Sequence, residues 1–324
     1  MPTFAAARMA MGTRFELALV GPDPRQLRAT AEEALDEVEL LDRRWSAFRP
    51  NSEVSALNRR AAREPVRVEP RLMALLDRAR TAGIETGGAL DPAVGALMAA
   101  WGFRGGPSHV PTPEELAQAR ACSGMDKLLL DPCRCTVRYL VPGLQLDLGA
   151  IGKGAAVDAA VEVCRSAGVS AGLIHAGTST LFAFGEPAPG MGWRVGIPQP
   201  EAARAGFRAA DLGPGTREGM ICGEIVLADQ ALAVSAVWGR TLNTEGNSYG
   251  HVLDPRTGCP VEHTLMAAVL APSGFEADAF STALLVGGEG LQSSMAQSRP
   301  TWRSLVVSRG PGDGQPRFVN CGLL

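Results

Sequence analysis

The sequence lacks any excess of basic charge: 31 Lys and Arg stand against 34 Asp and Glu, a formal net charge of −3. Without surplus cations nothing displaces the counterions of a polyphosphate backbone, so general nucleic-acid binding is excluded. A Cys-x-x-Cys pair is also missing. Of the seven cysteines (Cys122, Cys133, Cys135, Cys164, Cys222, Cys259, Cys321) only Cys133 and Cys135 are close, and no His lies near them in sequence. That pattern argues against zinc and for free thiols in a reducing compartment. No basic region followed by a continuous apolar stretch opens the chain, and no apolar run reaches bilayer length. Neither a signal peptide nor a membrane span is therefore expected, and the chain as given reads as soluble and cytoplasmic. A chain trimmed of its leader would look the same and would belong to the periplasm or to a membrane anchor. Internal repeats and low-complexity linkers are absent too.

What is present suits a sizeable core: 324 residues, 46% hydrophobic, with 38 Gly and 23 Pro scattered between periodic segments as turns. Alternation predicts a strand over Thr13–Val20, and helical spacing of Leu27, Ala31, Ala34, Leu35, Val38 and Leu41 predicts a helix over Arg25–Arg44. Further helices are expected at Pro70–Gly83, at Asp91–Trp101, starting within Pro111-Thr112-Pro113-Glu114-Glu115, at Lys153–Ala167 and at Glu276–Val286. Strands are expected at Leu128–Leu130, Thr136–Leu140, Leu144–Leu148, Ala171–His175, Leu181–Phe184, Trp193–Ile197, Gly223–Leu227, Ala231–Val234, Leu265–Ala271 and Ser304–Ser308. The mixed order gives the class α+β (mixed α/β).

Three stretches carry candidate chemistry. In Leu146-Asp147-Leu148-Gly149-Ala150-Ile151-Gly152-Lys153-Gly154, glycines, a following helix N-terminus and Lys153 make a phosphate-cradle composition. It has neither the Walker A spacing nor the Gly-x-Gly-x-x-Gly order, and the same residues serve a tight strand-to-helix turn. In Glu276-Ala277-Asp278-Ala279-Phe280-Ser281-Thr282, Asp278 and Thr282 share a helix face and can offer two oxygen ligands to Mg²⁺. The alternative there is an acid favourable to the helix dipole and a Thr bonded back to its own helix. In Tyr249-Gly250-His251-Val252-Leu253-Asp254-Pro255-Arg256-Thr257-Gly258, one of only four His residues enters a turn. A lone His is as readily structural as catalytic.

These stretches in this order, with Met11-Gly12-Thr13 near the start, resemble the ApbE family of flavin transferases. Arg44-Trp45-Ser46-Ala47-Phe48 with Ser52-Glu53…Leu57-Asn58 is similar to the family's Ser-x-Tyr…Ser-Glu…Leu-Asn segment. Gly88-Ala89-Leu90-Asp91…Val94-Gly95…Trp101-Gly102-Phe103 is similar to its Gly-x-x-Asp-x-x-Val-Gly…Trp-Gly-Phe block. The resemblance runs from about Met11 to Gly288 and implies one ApbE-like domain over 1–324, two-lobed, with mixed sheets flanked by helices. It implies an FAD site of Met11, Phe48, Ala89, Leu90, Asp91, Asp147, Lys153 and Leu253, with Phe48 where the family usually stacks a Tyr on the flavin. It also implies Mg²⁺ held by the main-chain oxygen of Ala150 and the side chains of Asp278 and Thr282. Some relatives carry an acid where this chain has Ser281. The chain departs from the family pattern at Ala176-Gly177-Thr178-Ser179-Thr180, where Gly-Gly is often followed by Asn, Asp or Glu. It departs again at Ser235-Ala236-Val237-Trp238, where Ser-Gly is usual.

The activity so implied is Mg²⁺-dependent transfer of FMN from FAD to a Thr or Ser hydroxyl of a target flavoprotein, with release of AMP. The resemblance and the titration range of imidazole make His251 the candidate catalytic base. Two rivals stand beside it: a Mg²⁺-dependent FAD pyrophosphatase, with water as acceptor, and a non-catalytic FAD-binding protein. The expected partners are FAD and the acceptor protein.

Overall fold

The computed structural model describes residues 1–105, 109–200, 221–239, 241–244, 247–310 and 315–324. The chain divides into two compact units, each discontinuous in sequence. The first is Met1–Leu40, Lys153–Trp238 and Thr264–Leu324; the second is Leu41–Gly152 and Gly239–His263.

The first unit is built on an eight-stranded sheet in which every neighbouring pair is antiparallel. Its strands lie in the order β1 (Thr3–Ala10), β2 (Thr13–Val20), β6 (Ala171–Ala176), β7 (Thr180–Phe184), β10 (Gln230–Ala236), β13 (Thr264–Ala271), β14 (Arg303–Arg309) and β15 (Pro316–Cys321). Met11-Gly12 closes the β1–β2 hairpin with φ of 50° and 72°. Both values are left-handed, the turn that matches strand twist; Gly12 takes its place freely, and Met11 at a cost of about 1–2 kcal/mol. All eight residues of β13 are buried, because the strand is covered on both faces. Helix α7 (Gly274–Ser298) lies over β7, β10, β13 and β14. On the other face Met266, Ala268 and Leu270 pack with Ile197, Ile225 and Leu227, which come from the hairpin of β8 (Trp193–Pro198) and β9 (Ile221–Leu227).

The N-termini of α7 and of α6 (Gly152–Ser166) cap one another. Asp158 of α6 accepts hydrogen bonds from the Gly274 N–H (2.5 Å) and the Phe275 N–H (2.9 Å), while Asp278 of α7 accepts from the Gly154 N–H (2.9 Å). Each carboxylate therefore meets the positive end of the other helix. The contact requires glycine: a Cβ at Gly154 would overlap the Gly274 carbonyl oxygen and lie 2.7 Å from the Asp278 Cβ. Gly154 thus serves helix packing, a role that neither the phosphate-cradle nor the strand-to-helix-turn reading of its stretch contained.

The second unit holds α2 (Glu53–Arg60), α3 (Pro70–Glu85), α4 (Gly95–Ala100) and α5 (Pro113–Ala121). With them are a three-stranded sheet of β3 (Val66–Arg67), β5 (Thr136–Tyr139) and β4 (Leu128–Asp131), and a hairpin of β11 (Thr241–Thr244) and β12 (Asn247–Gly250). Helix α1 (Pro24–Trp45) begins in the first unit and ends in the second, burying the predicted stripe from Leu27 to Leu41.

Two sequence expectations are corrected in this unit. Leu144–Leu148 is not a strand. Its backbone is satisfied from a side chain and from loops: Asn58 accepts from the Leu146 N–H (2.8 Å) and donates to the Leu146 carbonyl (3.1 Å). The Gly95 N–H bonds the Gln145 carbonyl, and the Asp147 N–H bonds the Pro92 carbonyl. An apolar run so supplied needs no neighbouring strand. The helix expected from Asp91 starts only at Gly95, because the Asp91 carboxylate bonds the Ala93 N–H two residues on and turns the chain. Among the described residues no helix is long and apolar enough to cross a membrane.

Candidate functional site

In the first unit the candidate residues gather at one end of the sheet. The Met11-Gly12 turn lies there with the β6–β7 turn, since Phe15 pairs with Ala176 and the Gly177 N–H bonds the Arg14 carbonyl. Thr180, first residue of β7, donates its hydroxyl to Asp278 Oδ1 at 3.0 Å, and Lys153 Nζ stands 3.9 Å from the same oxygen. Asp278 is only 2% exposed. Burial pushes its carboxyl above the ordinary range; Lys153, the Gly154 N–H and the Thr180 hydroxyl pull it back.

Beside this carboxylate runs a chain of hydroxyls. Ser281 donates back to the Asp278 carbonyl (3.0 Å), so its single proton is committed. Ser235 lies 2.8 Å from Ser281 and 3.1 Å from Thr282. Ser235 must then donate to Ser281 and receive the Thr282 proton, which leaves the Thr282 oxygen with lone pairs to offer. The donors are all hard oxygens, without nitrogen or sulfur. No group of three His, Cys, Asp or Glu exists among the described residues, so a carboxylate-rich calcium or transition-metal cage is not built. One carboxylate and a prepared hydroxyl fit Mg²⁺, which takes few protein ligands and completes its shell with water or phosphate oxygens.

In the second unit Phe48 presents a ring that is 60% exposed. Its loop is pinned by Ser52, whose hydroxyl donates to the Ser46 carbonyl (2.5 Å), and by Ser46, which accepts from the Phe48 N–H (3.2 Å). Asp147 Oδ1 accepts from the Gly149 N–H at 2.9 Å. Asp91 accepts from the Ala93 N–H (2.7 Å) and the Met125 N–H (3.0 Å); burial raises its pKa and those two bonds oppose the rise. Ala89, Leu90 and Leu253 are buried, so what they can show a ligand is main chain. Leu253 packs with Leu97, Trp101 and Phe103, and Trp101 Nε1 bonds the Gly258 carbonyl at 2.8 Å. That fixes the Asp254–Gly258 turn against α4. His251 follows β12, half-buried, with Gly239 beside its ring.

The structure thus joins Lys153 and Asp278 directly and places Thr282 one turn along the same helix. It joins Asp147 to the Asp91-Pro92 segment through the Asp147 N–H bond to the Pro92 carbonyl. Several amides of the glycine stretch are already engaged: Gly149 with Asp147, Ile151 and Gly152 with the Leu148 carbonyl, Gly154 with Asp278. Lys153 is therefore the stronger candidate of that stretch for a phosphate. Sequence reasoning missed Thr180 and Ser235 as groups that shape the Asp278–Thr282 cluster; each lies in a stretch that departs from the family pattern, and that departure was the available signal. It met Asn58 only as part of the Leu57-Asn58 segment, without the role of its amide in holding Leu146, and it missed Arg104, whose guanidinium touches the Phe48 and Asp147 segments.

The ApbE family model matches residues 11–305. The chain is 28% identical over 285 residues to the FAD:protein FMN transferase of Salmonella typhimurium, covering 86% of this chain and 77% of that protein. It is 32% identical over 296 residues to the enzyme of that description from Rhodobacter capsulatus, covering 89% of this chain and 52% of the longer relative. Among solved structures, the ApbE protein of Thermotoga maritima superposes with a TM-score of 0.84 at 26% identity, over 98% of this chain and 96% of that one. The flavin transferase ApbE of Vibrio cholerae superposes with a TM-score of 0.83 at 25% identity, over 99% and 97%. The chain belongs to the ApbE family, and its α+β fold is the family's.

Proposed function

We propose that this chain is a transferase that moves FMN from FAD onto a Thr or Ser hydroxyl of a target flavoprotein, releasing AMP, with Mg²⁺ as the required metal. The observation that carries the reading is the Asp278 cluster. A carboxylate 2% exposed, with a lysine ammonium at 3.9 Å and an oriented threonine oxygen on its own helix, is a costly arrangement for stability alone. It suits a hard cation and a phosphate ligand. The transferase names of the relatives supply the reaction class.

In this reading Asp278 and Thr282, with the main-chain oxygen of Ala150, hold Mg²⁺, which when bound supplies charge neutralisation to the diphosphate. Lys153 attracts the same diphosphate. Phe48 offers a stacking face to the isoalloxazine, while Asp147, Asp91, Met11 and the main chain of Ala89, Leu90 and Leu253 orient the rest of FAD. The acceptor oxygen attacks the FMN phosphorus, the bond to the AMP oxygen breaks, and AMP departs. The proton of the attacking hydroxyl passes to His251. The test is incubation with FAD, Mg²⁺ and an acceptor protein, reading AMP release and the acceptor's intact mass. An FMN mass gain with AMP supports the proposal. AMP and free FMN without a mass gain would mean water is the acceptor, and no AMP under any condition would leave a binding protein.

A further inference from the structure

Arg104 follows the Trp-Gly-Phe segment and is 8% exposed. Its guanidinium touches four groups from two segments of the second unit. Nη1 donates to Gln145 Oε1 at 2.8 Å, and Nε lies 3.8 Å from Asp147 Oδ2. Nη2 reaches the Ala47 carbonyl at 3.4 Å, and Cζ stands 5.7 Å from the centre of the Phe48 ring. Space for it is kept by Gly95, where a Cβ would overlap Arg104 Nη1 and lie 2.7 Å from the Gln145 Cβ.

A buried guanidinium whose named carboxylate partner is 3.8 Å away is poor value as a stability device, since well-packed apolar replacements commonly fold as well. Its planar fork and stacking face do something an apolar residue cannot: they fix a ring and a carboxylate relative to each other. Both belong to the set assigned above to the flavin substrate. The cation also offsets the Asp147 charge, which would otherwise repel a diphosphate-bearing ligand. We infer that Arg104 is a positioning residue for FAD, holding the Phe48 ring and the Asp147 carboxylate in one fixed arrangement. The inference rests on the function proposed above.

The test compares wild type, R104K, F48L and the double variant, reading FAD affinity by titration and the visible circular dichroism of the bound flavin. R104K keeps the charge and loses the fork and the stack. It is expected to raise the FAD Kd about tenfold and to change the flavin band. In the F48L background the same change is expected to add clearly less than about tenfold, because the ring is gone and only the Asp147 contact is left to lose. Wild-type affinity and band in R104K, or a full tenfold penalty on top of F48L, would overturn the assignment. Should R104K fail to fold, Q145A carries the test, since it removes the acceptor that holds Arg104 Nη1 and leaves the guanidinium and its charge in place. Wild-type protein that binds no FAD would sink the functional reading itself; wild-type binding with indifferent variants would sink only Arg104.

Discussion

Two substitutions at Asp278 separate its chemistry from its structural bonds. In D278A the buried Gly154 N–H and the Thr180 hydroxyl both lose their acceptor. Each orphaned buried group costs about 1–3 kcal/mol, so the pair costs about 2–6 kcal/mol if neither finds another partner. In D278N the amide oxygen still accepts from Gly154, and the new NH₂ donates to Thr180 Oγ1, whose hydroxyl rotates to receive it. Only the Thr180 proton, turned away from residue 278, then lacks its former acceptor, against two donors in D278A, and the burial that pushes the carboxyl upward no longer opposes a charge. Without metal, D278N is expected to melt close to the wild-type temperature and D278A several degrees below it, at about 2–4 °C per kcal/mol. Thermal melts in EDTA and in millimolar Mg²⁺ provide the assay, with AMP release alongside. Wild type is expected to gain stability with Mg²⁺ by linkage, while both variants gain none and release no AMP. If D278N still rises in melting temperature with Mg²⁺, or turns over FAD like wild type, Asp278 is not the metal carboxylate. If D278A melts with D278N, the hydrogen-bond reasoning is wrong.

Four further outcomes follow from the geometry. H251A is expected to slow AMP release by roughly two to four orders of magnitude with FAD affinity kept; lost affinity would make His251 a part of the turn instead. S235A removes the acceptor of the Thr282 proton and is expected to weaken Mg²⁺ binding roughly tenfold by calorimetry, whereas unchanged binding would remove Ser235 from the site. Asp91 accepts from two backbone N–H groups, neither able to reverse like a hydroxyl, so D91N is expected to lose about 1–3 kcal/mol in urea denaturation. Because burial raises the Asp91 pKa from 3.8, wild type binds that proton more tightly folded than unfolded. Its contribution is present below pH 3.8 and falls as pH rises through the raised value, so the wild-type advantage over D91N should shrink upward across that window; a growing advantage would contradict the sign. Finally, Cys133 and Cys259 are exposed, while burial pushes the Cys164 thiol up to about 12 and Cys222 up to about 11. Native alkylation followed by peptide mass analysis should label the first pair and spare the second until unfolding.

Much of the fold was legible where one physical signal dominated. Thr13–Val20 alternates because one face is buried, and the observed strand has the predicted bounds. The α1 stripe was equally plain. The sequence was misleading where partners lie far away: Leu144–Leu148 is apolar enough for a strand, yet Asn58, 88 positions from Leu146, takes the strand partner's role. Strand β1, Thr-Phe-Ala-Ala-Ala-Arg-Met-Ala, is alanine-rich and shows its alternation only in its burial once paired with β2. Strand β15 was missed because an edge strand opening on Pro316, with most residues exposed or half-exposed, has no strong period. Within the site, Asp278 and Thr282 were readable because four residues make a helix turn. Thr180 and Ser235 stand 98 and 46 positions from their nearest hydroxyl or carboxylate partners, a distance no local pattern spans.

The reciprocal capping of α6 and α7 bears on when the candidate site comes into existence. Its bonds join residues 116 to 124 positions apart, and the strands β6, β7, β10 and β13 lie between them in sequence. Loop closure over such a span is rewarded only after the intervening sheet has formed, so these contacts belong to the slow, late part of folding. Until then Asp278 has no helix end to face, and Lys153 sits on a helix start without its cap. Refolding protein should regain its bulk helical signal before it regains the affinity for Mg²⁺ proposed for this site, and a nascent chain ending before Gly274 would carry the sheet's first strands without the candidate metal carboxylate.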